Sequence, residues 1–238
     1  MLQEQNLERL KKRLVEVIGI LDREKLFEMS TGHVSARVPD KDLILILGHV
    51  HHDGKILAEV SVDDLVLMDM QGKLIEGRTD PPGERFIHTA IYRKRKDVHA
   101  IVHNHPRLGV AFSIAGKEIL PVGFRGSIFY PKVPICTYPG QIDTPEIGEI
   151  VANILDTGYS VLLQGHGAVT VGGTLEEMCA AAIALEVTAE TQLLASLIGE
   201  VRTLDADQLD GKFVKGISAK EYFDIAWSYY SRKRSRNE

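Results

Sequence analysis

The sequence is poor in cysteine, in net charge and in long uninterrupted apolar runs. Its 238 residues include two cysteines, Cys136 and Cys179, too few for a disulfide framework, so we expect reduced thiols. A formal net charge of −5 excludes a global field that attracts nucleic acid or anionic membrane. The charged N-terminus lacks the apolar core of a signal peptide, and no run approaches the ~20 apolar residues of a membrane span. We therefore expect a soluble, cytoplasmic chain with neither nucleic acid nor membrane as a partner.

Strand and helix patterns alternate along most of the chain. Residues 4–29 carry leucine and valine at helical spacing, and "GHVSARV" and "LILIL" are typical of strands. "DDLVLMDMQGKLIEG" predicts two strands joined by a Gln-Gly turn, and "GERFIHTAIYRKRKD" predicts an amphipathic helix. The pattern predicts one α/β domain with helices packed on a sheet, followed by a C-terminal extension.

Three helix starts are marked by their capping residues. Thr144–Pro145 has the threonine N-cap and first-turn proline of a helix. Thr174–Glu177 and Ser218–Glu221 are capping-box patterns. The first of these two boxes opens a long helix to about Gly199, and the second opens a C-terminal helix rich in aromatic residues.

Two histidines end the apolar strand "AIVHNHP". His103 and His105 are two residues apart, so on a strand their side chains share a face roughly 6–7 Å apart. Two imidazoles there can converge on one metal ion. The alternative is a pair of polar residues at the exposed end of a strand.

A third histidine and a carboxylate favour the metal. His166 lies between two glycines in "LLQGHGAV", where two apolar strands meet, although a turn histidine is the simpler interpretation. Glu84 begins a helix after a double proline and a glycine, where simple helix capping is the alternative. Such a nitrogen and oxygen donor set suits one divalent ion per chain, Zn²⁺ or Mn²⁺, with Fe²⁺ or Co²⁺ as further options.

These motifs, in order and spacing, resemble the class II aldolase/adducin family. The resemblance rests on "TGHVSARV", "GERFIHTAIYRKRKDVHAIVHNHP", "LLQGHGAV" and "TLEEMCAAAIALEVTAETQ", within residues 5–200. The family includes fuculose-phosphate and rhamnulose-phosphate aldolases, ribulose-phosphate 4-epimerase and a branch of decarboxylases. It implies an α/β fold, with a central, mostly antiparallel sheet and helices on both faces. It also implies a homo-oligomer, most often a tetramer, with the active site near a subunit boundary.

The resemblance also implies roles for particular residues. His103 and His105 match the paired metal ligands, His166 matches the third histidine, and Glu84 matches the acid that binds the resting metal or transfers a proton. Residues 1–202 would form the catalytic domain. Residues 203–238 would form a linker and a helix that packs at an oligomer interface.

The sequence departs from the family where sugar-phosphate aldolases bind phosphate. His33 replaces an asparagine, "LGHVHHDG" lacks a Thr-Gly pair, and Pro82 and Gly83 replace two serines before Glu84. A phosphate dianion needs several charge-assisted donors, and proline has no backbone N–H. We therefore expect no phosphate pocket.

Other polar residues are candidates for binding a carboxylated substrate instead. Arg125 offers a planar bidentate donor, and a histidine cluster in the "GHVHHDG" loop offers further donors: His49, His51 and His52. A polar surface loop and a surface ion pair are the alternative. His33 is grouped with these substrate-binding candidates.

Two further residues complete the predicted site. His88 lies one helical turn after Glu84, either orienting Glu84 or a substrate group, or simply satisfied beneath the sheet. Glu84 is the first candidate to transfer a proton, and Tyr130 is the second catalytic candidate.

The sequence thus predicts a divalent-metal-dependent carbon–carbon lyase acting on a small molecule. Loss of phosphate-binding residues favours decarboxylation of a hydroxylated aromatic or heteroaromatic carboxylate. An aldolase or epimerase acting on a sugar or sugar phosphate is the alternative. A non-catalytic scaffold like adducin is a third possibility, but all three metal-site histidines are present.

Overall fold

The computed structural model describes residues 2–49, 54–210, 213–214 and 216–233. Its helices are α1 Leu2–Arg23, α2 Arg85–Lys94, α3 Arg107–Ile114, α4 Gly123–Gly126, α5 Pro145–Leu155, α6 Leu175–Ile198 and α7 Ala219–Tyr230. Its strands are β1 His33–Arg37, β2 Leu43–Leu47, β3 Leu65–Asp69, β4 Leu74–Glu76, β5 Ala100–Asn104, β6 Ile135–Cys136, β7 Ser160–Leu163, β8 Gly167–Gly172, β9 Leu209–Asp210 and β10 Phe213–Val214.

Eight of these strands form one sheet in the order β4-β3-β2-β1-β5-β8-β7-β6. Neighbouring strands are antiparallel, except that β6 is parallel to β7. The Gln-Gly turn joins β3 to β4, with Gly72 at a positive φ of 85°. The predicted sheet is confirmed, and β1, β5 and β8 lie side by side at its centre.

Helices cover both faces of the sheet because the strands are apolar on both sides. In β2, Leu45 and Leu47 pack into the core formed with α1 and α6, whereas Ile44 and Ile46 pack into the core formed with α2 and α5. This alternation follows from the two-residue repeat of a strand, and continuous apolar runs such as "LILIL" mark strands buried on both faces. The α/β class with helices on both faces is therefore confirmed.

Helix α6 corrects the expectation that no segment is long and apolar enough for a membrane span. It is the one helix in the described part of the chain that is long and apolar enough to cross a membrane by length and composition, with a mean hydropathy of 1.4 in its most apolar window. Yet Ala182 packs into one core and Leu185 into another, so α6 has the apolar character of a helix that covers a sheet. Such a match is weak evidence for a membrane span.

Helix α7 packs against its own chain. Tyr222 and Phe223 are buried in a third apolar cluster with residues of α6, and the Arg13 guanidinium lies 4.8 Å from the centre of the Trp227 ring. The predicted capping box forms, because Ser218 and Glu221 each bond to the other's backbone N–H. The proposed boundary at residue 202 and the interface role of α7 remain predictions.

Candidate active site

The site lies where the central strands end. His103 is in β5, and its Cα pairs with that of His33 in β1. His105 follows β5, His166 occupies the turn between β7 and β8, and Glu84 immediately precedes α2. Antiparallel pairing brings the histidine-bearing segments to one end of the central strands, and the start of α2 brings Glu84 to the same place.

The two glycines beside His166 allow its close approach. Gly165 has a φ of +67°, a conformation that residues with a Cβ rarely adopt. A Cβ added at Gly167 would lie 2.8 Å from His105 Cδ2 and 3.1 Å from His103 Cε1. The Gly-His-Gly motif is thus required both for the turn and for room beside the other two histidines.

Three imidazoles and one carboxylate converge here. One ring nitrogen from each of His103, His105 and His166 lies within 4.8 Å of the other two. The Glu84 Oε2 atom is 3.3 Å from His103 Nε2 and 3.6 Å from His166 Nε2. This is the donor set expected from the sequence, brought together by three separate segments.

Hydrogen bonds behind two of the histidines leave their Nε2 atoms free. His103 Nδ1 lies 3.0 Å from the Ala168 carbonyl oxygen, which can only accept, so Nδ1 carries the proton. His105 Nδ1 lies 2.9 Å from the Thr31 hydroxyl, which itself donates to the Glu28 carbonyl. Both rings therefore direct an Nε2 lone pair toward the cluster, as metal ligands do.

Glu84 is held by a backbone bond and is ionised. The Ile142 N–H donates to Glu84 Oε1 at 2.9 Å, leaving Oε2 to face the histidines. Burial alone raises the pKa of the carboxyl, but His103, the Ile142 amide and His166 outweigh it and lower that pKa to about 2. The carboxylate is negative at neutral pH, a form that binds cations.

The histidines themselves favour the neutral form. Burial, together with the like charges of His103 and His166, lowers the pKa of His105 to about 4. Burial and His103 also lower the pKa of His166. Neutral imidazole is the form that ligates a metal.

An orphaned atom shows that a cation fits this site. His103 Nε2 is buried and has no hydrogen-bond partner, since its contact with Glu84 is not hydrogen-bonded in geometry. A buried polar atom without a partner costs roughly 1–3 kcal/mol. A divalent cation held by His103, His105, His166 and Glu84 would satisfy it.

His88 has no hydrogen bond to Glu84 in the described part of the chain. His88 is fully buried, its Nε2 lies 2.7 Å from His33 Nδ1, and its Nδ1 lies 2.6 Å from the Ser35 hydroxyl. Both ring nitrogens are occupied, as expected for a satisfied histidine beneath the sheet, and a role in orienting a substrate group stays a prediction. His33, by contrast, lies beside the site, with its ring centre 5.1 Å from that of His103.

The other substrate-binding candidates are dispersed. His49 lines a cavity of about 510 Å³ together with Gly83 and Arg85, the neighbours of Glu84. Arg125 lines a different cavity of about 700 Å³ between α4, α6 and α7, which contains none of the four metal-site residues. His51 and His52 lie outside the described residues.

Tyr130 is also separate from the histidines. It ends a helical turn over Ser127–Phe129, and its backbone N–H bonds to Ser127. The described contacts do not connect its ring with Glu84 or the metal-site histidines. The predicted catalytic role of Tyr130 therefore has no support from contacts within one chain.

Sequence reasoning missed the residues that support the site. Thr31 and the Ile142 amide bond to His105 and Glu84, and neither has a sequence signal that points to this role. Ser35 and Tyr92 do have such a sequence signal. Ser35 is two residues from His33 on a strand, and Tyr92 is four residues from His88 on a helix, so each shares a face with its histidine.

Comparisons with known proteins agree with this geometry. The chain is 30% identical over 191 residues to an L-fuculose phosphate aldolase of Methanocaldococcus jannaschii, covering 79% of this chain and 98% of that protein. It is 27% identical over 192 residues to a 3,4-dihydroxyphthalate decarboxylase of Arthrobacter keyseri, covering 76% of each. A solved L-fuculose 1-phosphate aldolase of Glaciozyma antarctica superposes with a TM-score of 0.78 at 28% identity, covering 94% of this chain and 87% of that one.

The family model spans most of the chain. The model described as Class II Aldolase and Adducin N-terminal domain matches residues 12–193, which contain all four candidate metal ligands. The resemblance recognised in the motifs is thereby confirmed, and the chain belongs to the class II aldolase and adducin N-terminal domain family.

Proposed function

We propose that this protein is a divalent-metal-dependent carbon–carbon lyase acting on a small hydroxylated substrate. The observation that carries the proposal is the convergence of three imidazoles and Glu84 around the buried, unpartnered His103 Nε2. A structural role does not require an unsatisfied nitrogen beside a carboxylate. A cation-binding site does require such a nitrogen, because its lone pair must be free to bind the cation.

The chemistry needs a place for negative charge. When a carbon–carbon bond breaks heterolytically, an electron pair is left on carbon and is delocalised onto a neighbouring oxygen. A divalent cation bound at this site would supply Lewis-acid stabilisation of that oxygen, worth several kcal/mol. Neutral histidine ligands leave most of the cation's charge available for this purpose.

The protein's own residues handle the proton. Glu84 Oε2 faces the cluster as a carboxylate, so it can accept the proton of a substrate hydroxyl and return a proton to carbon. The bond from Ile142 N–H to Oε1 holds Oε2 in this direction. Burial of His103 and most of Glu84 limits the access of water to the reacting carbon.

Aldol cleavage of a sugar or sugar phosphate is the reaction that the relatives favour. The M. jannaschii and G. antarctica relatives are both fuculose phosphate aldolases by name. Zinc is the metal we propose for this reaction, because histidine nitrogens and a carboxylate oxygen are its usual ligands at catalytic sites.

Decarboxylation is the second candidate, and a specific observation favours it. Pro82 and Gly83 present no side-chain hydroxyl before Glu84, and His33 stands beside the site where the family's aldolases have asparagine. The relative from A. keyseri is a decarboxylase by name, with a dihydroxylated aromatic diacid as its substrate. The loss of phosphate donors makes a carboxylate a better match than a phosphate.

A product assay separates the two reactions. Zinc-loaded and manganese-loaded protein would be incubated with L-fuculose 1-phosphate and with 3,4-dihydroxyphthalate, and aldehyde and CO₂ would be measured. Aldehyde release that disappears with EDTA and returns with metal supports aldol cleavage, and CO₂ release with the same dependence supports decarboxylation. Failure of the purified protein to bind any divalent metal would refute both.

A further inference from the structure

A buried hydrogen-bonded chain runs from the metal site into the core. It starts at His33 Nδ1, which lies 2.7 Å from His88 Nε2, and continues from His88 Nδ1 to the Ser35 hydroxyl at 2.6 Å. Ser35 Oγ then lies 2.9 Å from the Tyr92 hydroxyl, which donates to the His99 carbonyl at 3.4 Å. The proposed reaction has no use for a chain of this length, so it requires its own explanation.

The far end of the chain sets the direction of every bond. The His99 carbonyl can only accept, so Tyr92 donates to it and must accept from Ser35. Ser35, having used its only proton, accepts from His88 Nδ1. His88 Nε2 is then bare and accepts from His33 Nδ1, which leaves His33 Nε2 with a lone pair.

That lone pair lies beside the metal site. His33, Glu84 and His103 form a second group whose nitrogen and oxygen atoms lie within 4.8 Å of one another. No hydrogen bond joins His33 to Glu84 in the described part of the chain, which is expected if both atoms are acceptors. Among the described residues, His33 shares no such group with His105 or His166, so its connection to the site is through Glu84 and His103.

We propose that Tyr92, acting through Ser35 and His88, sets the hydrogen-bond polarity of His33, and that His33 Nε2 accepts a hydrogen bond from a substrate hydroxyl. His33 is thus a substrate-contacting residue, whereas Tyr92, Ser35 and His88 are positioning residues. A bare nitrogen favours a hydroxyl donor and disfavours an oxyanion, which offers only acceptors. This inference rests on the proposed function for its substrate, but its polarity argument concerns the protein alone.

Tyr92→Phe reverses the chain without removing any histidine. Ser35 loses its acceptor, and since its proton must be satisfied in a buried setting, it donates to His88 Nδ1. His88 Nε2 then carries a proton and donates to His33 Nδ1. His33 Nε2 becomes a donor, and the polarity facing the site is inverted.

The experiment observes the tautomers directly. Metal-free protein with ¹⁵N-labelled histidine would be studied at neutral pH by two-bond ¹H–¹⁵N correlation, with His33→Asn and His88→Asn used to assign the signals. We expect His33 and His88 protonated at Nδ1 in the parent protein and at Nε2 in Tyr92→Phe. Tyr138→Phe is the matched control and should leave both tautomers unchanged. Identical tautomers in parent and Tyr92→Phe would overturn the proposed relay.

A binding experiment tests whether His33 contacts a substrate hydroxyl. Zinc-loaded protein would be titrated with catechol, a neutral probe with two adjacent hydroxyls, and with inorganic phosphate. Tyr92→Phe should weaken catechol about tenfold and not weaken phosphate, while zinc affinity changes by less than about threefold. A tautomer switch with unchanged catechol affinity would overturn the substrate contact. Failure of the parent protein to bind zinc would refute the proposed function and leave the relay standing on the tautomer result.

Discussion

The histidine site and the cavity beneath α7 differ in the side chains that they present. The α7 cavity, of about 700 Å³, is lined by aromatic and aliphatic side chains with Arg125 and Lys233 as its charged groups. The histidine site contains a carboxylate 3.3 Å from a buried imidazole nitrogen that has no hydrogen bond. Thr188 Oγ1, in the lining of the α7 cavity, also lacks a hydrogen bond, so the two regions differ in the imidazole and carboxylate groups that only the histidine site brings together among the described residues.

The comparison also separates two predictions made from one sequence. Both Arg125 and the histidines are predicted to serve a single site, yet they line different spaces within one chain. We therefore predict that another copy of the chain presents Arg125 to the histidine site.

The largest loss of metal content and activity is expected on substitution of the buried His103. His103→Ala removes the Nε2 atom that is central to the proposed site, so metal content should fall from about one ion per chain to well below half, and activity by more than about 100-fold. His99→Ala is the matched control, because its exposed side chain lies just before the same strand. Metal analysis after gel filtration measures the difference. Full metal retention in His103→Ala would remove this residue from the site.

Glu84→Gln is expected to affect turnover more than metal binding. Glutamine keeps the oxygen that accepts from Ile142 N–H but removes the charge and the proton acceptor. We expect the rate to fall about 100-fold or more, with metal affinity reduced about tenfold. Steady-state kinetics at saturating metal separate the two effects. A rate within about threefold of the parent protein would assign proton transfer to another residue.

Arg125→Lys is expected to have a smaller effect, and only in an assembled protein. We predict a homo-oligomer, most often a tetramer in this family, in which Arg125 reaches the site of another copy. Turnover should fall about tenfold, since lysine lacks the planar bidentate contact. Mixing Arg125→Ala with His103→Ala chains should then restore part of the activity. A monomer by light scattering at micromolar concentration would contradict this arrangement.

The smallest effect is a pH dependence of stability. Burial, reinforced by His103, lowers the pKa of His88 from 6.5 to about 3, so the folded state keeps this ring neutral while the unfolded state binds a proton. Stability is therefore complete above the unfolded pKa and is lost as pH falls below it. Each unit below about pH 6.5 should cost up to about 1.4 kcal/mol for this group.

Urea unfolding of metal-free protein at about pH 7.5, 6 and 5 measures the slope, in a range where carboxylates stay ionised. The His88→Asn variant should show a smaller loss over the same range. An equal slope in the two proteins would mean that the neutral state of His88 does not contribute.

Local patterns predicted most of the fold. Apolar runs located the strands, and Thr144, Thr174 and Ser218 mark the starts of α5, α6 and α7 as expected. An error is at a helix end, because α1 stops at Arg23 instead of near residue 29. Helix and strand ends depend on tertiary contacts, which a periodic pattern does not contain.

The candidate metal ligands are recognisable from short sequence motifs alone. His103 and His105 stand at strand spacing, His166 is flanked by glycines, and Glu84 opens a helix, all properties of short segments. Segments of a few residues carry this information because strand and helix geometry fixes the direction of each side chain.

The hydrogen-bond partners and neighbours of those side chains depend on tertiary contacts. The pairing of β1 with β5 placed His33 beside His103, and the packing of α2 against the sheet placed His88 and Tyr92 within bonding distance of His33 and Ser35. These contacts join residues more than 50 positions apart, so no local pattern specifies them. Packing gave both ring nitrogens of His88 a partner but left His103 Nε2 without one, and this difference separates a candidate metal ligand from a member of the proposed relay.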